Sequence, residues 1–65
     1  MAYRLETIME EEQMFEAGDL LTIYSVWNNE GVLSDYCCDN SLDIIDVYEM
    51  GRYIYFDVQV QDNEY

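Results

Sequence analysis

The sequence predicts an α+β fold, with an N-terminal helix followed by a small, mostly antiparallel four-stranded sheet. Three observations carry that prediction. Apolar residues recur at helical spacing before Gly18, the pattern switches to period two after it, and polar turn signals divide the remainder into four strand-like runs. An SH3-like small barrel is the alternative, because short strands and tight turns dominate and Gly18-Asp19 enters a strand directly.

Residues 4–16 (RLETIMEEEQMFE) read as a helix. Leu5, Ile8, Met9 and Phe15 fall on one face, and Gly18 supplies a C-terminal stop. Its charges oppose it. Glu6 and Glu10, and likewise Glu12 and Glu16, are like charges four apart, each pair costing a few tenths of a kcal/mol. Glu12, Glu16 and Asp19 also sit where the helix dipole prefers cations.

Residues 20–27 (LLTIYSVW) are rich in β-branched and aromatic types and read as the first strand, with Asn28–Gly31 as a turn. Val32–Cys37 is expected to return as a second strand. Asp39–Ser41 is a further polar break. Leu42–Glu49 (LDIIDVYE) favours a strand through Ile44, Ile45 and Val47, although Ser41 is also a suitable helix cap. Met50-Gly51-Arg52 then turns into the most regular strand, YIYFDVQV. There Ile54, Phe56, Val58 and Val60 point one way, while Tyr53, Tyr55, Asp57 and Gln59 point the other. One face is core and the other is wet.

The chain of 65 residues reads as one domain over 1–65, carrying fifteen acidic residues against two arginines, with a formal net charge of −13. Half of the residues are apolar and 15% are aromatic, which is not the composition of a disordered acidic tail. Arg4 and Arg52 are the only permanent side-chain cations. Direct nucleic-acid binding and polybasic membrane attachment are therefore excluded. No apolar run approaches the ~20 residues of a membrane span, and the N-terminus lacks a signal-peptide core. The expectation is a cytosolic protein, complete from Met1. Cys37 and Cys38 are adjacent and match neither a disulfide framework nor zinc spacing.

Catalysis is poorly supported. Histidine, the commonest general base, is missing, and Ser25, Ser34 and Ser41 have no evident activating partner. Calcium is the natural ligand to weigh for Asp35, Asp39, Asn40 and Asp43. Counting from Asp35, however, the glycine position of an EF-hand loop is filled by Asn40, and Cys37-Cys38 interrupts the ligand register. Neither a cofactor nor a dedicated metal site is expected.

What remains is charge on a compact body. A folded chain of this length has a radius of gyration of roughly 11 Å, hence a diameter of about 28 Å. Duplex DNA of that length carries about 16 phosphates. Carboxylates two apart on a strand lie about 6.6 Å apart, and helical neighbours at i, i+4 about 5–6 Å, both near the spacing of successive phosphates. The candidate partner-binding residues are Glu6, Glu10, Glu11, Glu12 and Glu16 in the helix, and Asp35, Asp39, Asp43, Asp46 and Glu49 in the middle of the chain. Asp57 follows, with Tyr53 and Tyr55 as aromatic anchors beside Trp27 and Tyr36. The expected partner is a basic nucleic-acid-binding protein, with the carboxylates in place of phosphates. A small acidic adaptor, binding through its apolar sheet edge or tyrosine face, is the second expectation. A homodimer is favoured, since so few elements bury little surface alone.

In size, charge and tyrosine content the chain resembles the small acidic inhibitors that phages encode against host nucleic-acid enzymes. These include inhibitors of uracil-DNA glycosylase, restriction systems, nucleoid proteins and CRISPR effectors. The resemblance is one of kind and maps no motif onto particular positions. It implies inhibition by occupancy of a basic surface.

Overall fold

The computed structural model describes residues 2–10 and 15–61. It is α+β, with two helices and a four-stranded mixed sheet in the order β1-β2-β4-β3. Strand β1 is Ala2–Arg4 and helix α1 is Leu5–Glu10. Strand β2 is Leu20–Val26, followed by a single 3-10 turn, Trp27–Asn29. Helix α2 is Glu30–Asp39, β3 is Leu42–Met50 and β4 is Tyr53–Val60. The strands form an open sheet with β1 and β3 at its edges, in place of a small barrel.

Three sequence expectations change. The first element is a strand, and it pairs in parallel with β2, so the sheet is mixed. Parallel neighbours need a crossover connection, which α1 and the segment after it provide. Helix α1 is shorter than 4–16: Arg4 ends β1, Phe15 and Glu16 are not helical, and residues 11–14 lie outside the described residues. Met9 is exposed, whereas Leu5 and Ile8 are buried, so the apolar stripe is narrower than its spacing suggested. Finally, Val32–Cys37 is helical. Leu33 and Cys37, one turn apart, enter the core together, and Tyr36 packs against it.

Strands β2 and β4 pair antiparallel, as do β3 and β4, so β2 and β3 run parallel with β4 inserted between them. Helix α2 makes that crossover. Both helices lie on one side of the sheet, where Leu5, Ile8, Leu33 and Cys37 meet Leu21, Ile23, Leu42, Ile54, Phe56 and Val58. The alternation expected for YIYFDVQV is observed. Tyr3 and Phe15 close one margin of the core, edge to face at 5.5 Å. The radius of gyration is 11.3 Å, as expected for a compact chain of this length.

Two local features position the surface. Gly51 and Arg52 form a two-residue hairpin loop, and Gly51 has φ +63° with Arg52 outside the left-handed region, the pattern of a type II′ turn. Between Ile44 and Asp46 the β3–β4 register slips by one residue. This bulge reverses the phase of β3. Leu42 and Ile44 pair with the core-facing Val60 and Val58, yet beyond the bulge it is Val47 and Glu49 that lie on that side. Asp46, Tyr48 and Met50 turn to the other.

Candidate functional site: the uncovered sheet face and the acidic edge

No described element covers the second face of the sheet, and cross-strand pairing arranges its side chains in rows. Leu20, Gln59 and Asp43 form the first, and Ala2, Thr22, Asp57 and Asp46 the second. Arg4, Tyr24, Tyr55 and Tyr48 form the third, and Val26, Tyr53 and Met50 the fourth. The tyrosines of the third row stack across three strands. The Tyr24–Tyr55 ring centroids are 5.2 Å apart at 27°, and Tyr55–Tyr48 are 5.3 Å apart at 8°. Tyr53 meets Tyr24 edge-on at 5.8 Å. Aromatic pairs in these geometries contribute beyond the area they bury, so the ladder ties the three strands together on the uncovered face. Leu20, Ile45 and Met50 stand around it, each more than half exposed.

Polar groups on this face are tied to the ladder. Thr22 Oγ1 donates to Asp57 Oδ1 at 2.7 Å, and the Tyr48 hydroxyl donates to the same oxygen at 3.4 Å. Desolvation among its neighbours, and then the Asp57 charge, raise the Tyr48 phenol above its ordinary pKa. At the β1 margin the Arg4 guanidinium carbon lies 5.9 Å from the Tyr53 ring centre, while Arg4 Nε donates to Glu6 Oε2 at 3.2 Å.

The expected carboxylates divide into two groups. Asp43, Asp46 and Asp57 share the uncovered face with Tyr53 and Tyr55. Glu49 lies on the same edge strand but on the helix side, and Asp35 and Asp39 are exposed one turn apart on α2, which leads into β3. A run of exposed carboxylates therefore follows α2 and the free β3 edge, at positions 35, 39, 43, 46 and 49. Glu10 and Glu16 are exposed, and Glu11 and Glu12 lie outside the described residues.

Glu6 differs from the rest. Its Oε1 accepts from the fully buried Ser25 hydroxyl and from Asn29 Nδ2, and its Oε2 takes Arg4. The Ser25 hydrogen bond is the main reason its pKa is lowered. Glu6 thus fastens α1 to β2. Tyr36 also departs from expectation, since it is partly buried against the core and burial raises its pKa. Trp27 is exposed.

Sequence reasoning missed Tyr24, Tyr48 and Arg4. The signal for Tyr24 was present: in LLTIYSV it alternates with Ile23 as Tyr55 does with Phe56. Tyr48 was hidden by the bulge. Among the described residues no group of three or more histidine, cysteine or acidic side chains is placed to hold a metal ion, and no helix is long and apolar enough to cross a membrane. The chain matches no protein-family model, no curated protein sequence and no solved structure.

Proposed function

We propose that this protein is a nucleic-acid mimic, which inhibits a basic nucleic-acid-binding protein by occupying its phosphate-binding surface. The supporting observation is the set of exposed carboxylates Asp35, Asp39, Asp43, Asp46 and Glu49 along α2 and both sides of the β3 edge. The single ion pair among the described residues, Arg4–Glu6, involves none of them. Asp35 and Asp39, one turn apart on α2, lie about 5–6 Å apart, whereas Asp43, Asp46 and Glu49 on β3 are spaced at roughly 10 Å per three residues. A cleft shaped for phosphates attracts such a row by long-range steering, giving fast and salt-sensitive association. The protein acts by occupancy, without cofactor or catalysis, in the host-cell cytoplasm. Its targets are of the class of CRISPR effectors, restriction enzymes, glycosylases or nucleoid proteins.

The adaptor reading is favoured by one observation, the uncovered face with Leu20, Ile45 and Met50 exposed on it. Replacing Asp35, Asp39, Asp43 and Asp46 together by lysine separates the two. Immobilised wild-type and variant proteins are exposed to bacterial lysate at low and high salt, with and without competing duplex DNA. Mimicry expects nucleic-acid-binding proteins to be captured by the wild type alone, and released by salt or DNA. Capture indifferent to charge reversal, salt and DNA would assign the protein to the adaptor class.

A further inference from the structure

We propose that the β3 margin of the tyrosine face is a docking surface for arginine side chains of the basic partner. The inference rests on the mimic reading and specifies the residue type that the face selects. Tyr55 covers one face of the Tyr48 ring, stacked at 5.3 Å and 8°. β3 is an edge strand, so the other face of Tyr48 is turned to its free side, and the residue is exposed. Beside it, in the next row, Asp46 stands opposite Asp57. Asp57 Oδ1 is engaged by Thr22 and Tyr48, and neither carboxylate has an ion-pair partner among the described residues.

A ring face next to a carboxylate suits a guanidinium better than an ammonium. The guanidinium is planar and weakly hydrated, so it stacks on an aromatic face while its in-plane N–H groups bond a carboxylate. Lysine presents a strongly hydrated point charge with no plane to stack. The molecule already builds this arrangement once. Arg4 lies against the Tyr53 ring at 5.9 Å and bonds Glu6 at 3.2 Å. At the β3 margin the ring and the carboxylates are present and the cation is left for a partner to supply. Charge also decides the occupant, because a second copy would bring another −13 against this face.

The test uses oligoarginine and oligolysine peptides of equal length, titrated into the full-length protein at moderate salt by calorimetry and NMR. Oligoarginine is expected to bind about five-fold more tightly, with ring-proton shifts centred on Tyr48. Tyr48→Thr should abolish the preference while leaving oligolysine affinity unchanged, and Tyr48→Phe should retain it. The wild-type ring shifts decide the question even if Tyr48→Thr does not fold. Equal affinities, or shifts that bypass Tyr48, would overturn the proposal, as would a dimer in sedimentation that buries this ring. If both peptides bind equally but the four-lysine variant loses both, arginine selection fails and the mimic reading stands. If charge reversal leaves both affinities unchanged, the mimic reading fails with it.

Discussion

Asp46 on β3 and Asp57 on β4 stand directly opposite each other on the uncovered side of the sheet, and neither forms an ion pair among the described residues. Like charges in facing positions destabilise a strand pair by roughly 0.2–1 kcal/mol. The two are not equivalent, since among the described residues Asp57 accepts two hydroxyls and Asp46 accepts the neighbouring Val47 N–H at 2.9 Å. Asp46→Thr should therefore stabilise the protein by up to about 1 kcal/mol at low salt. Asp57→Thr should gain less or destabilise. Thermal melts at two salt concentrations check this, and a loss of stability in Asp46→Thr would contradict it.

The whole-molecule charge gives a second expectation. Repulsion among exposed carboxylates is screened as the Debye length falls to about 8 Å at physiological ionic strength. The melting temperature should rise from low to moderate sodium chloride, and the four-lysine variant should show a smaller rise. A flat profile for the wild type would mean that these charges do not strain the fold.

Ser25→Ala tests the fastening of α1. The change removes a buried donor to the half-exposed Glu6 carboxylate, a loss of roughly 1 kcal/mol at neutral pH once solvent screening is allowed for. Because the folded-state pKa of Glu6 lies below its ordinary 4.5, the stabilisation is present above that value and fades as pH falls through the lowered one. Wild type and variant should thus converge in strong acid. Denaturant midpoints measured from pH 7 to pH 2 report this, and a difference that persists undiminished would remove Glu6 from the explanation.

Cysteine chemistry supplies the alkaline counterpart. Burial, and then the neighbouring Cys38, push the Cys37 thiol from 9.0 up to about 11. A raised pKa of this kind contributes stability below pH 9 that is lost as pH climbs through the folded value near 11. Stability should fall across that window, with a gentler slope in Cys37→Ala. At pH 8 a thiol reagent should label exposed Cys38 promptly and Cys37 only on unfolding. Equal labelling of both would show that Cys37 is accessible in the native protein.

Much of the sheet was legible because burial on one side enforces strict alternation, as in Ile54, Phe56 and Val58. The hairpin was legible from Gly51, whose backbone conformation few other residues adopt. Helix α2 was not, for a physical reason. Asn29 stands at its N-cap, but its side chain is spent on Ser25 at 3.0 Å and Glu6 at 3.4 Å, so the capping signal served another contact. Only Leu33 and Cys37 are fully buried, too few to announce a helical stripe. Strand β1, three residues long, offers no pattern to read. The acidic run was visible as residue types, but only the fold separates Glu6, held by its neighbours, from the carboxylates along β3.

The extra residue at Ile45 gives β3 one place where the chain can shorten without turning over. Removing Ile45 would leave Ile44 opposite Val58 and Asp46 opposite Asp57, so Asp46 and Tyr48 would keep the uncovered side and only the bulge would be lost. A single in-frame codon deletion there should thus straighten the strand and spare the recognition face. Among natural variants, loss of a residue within β3 should fall at this position before any other in the strand.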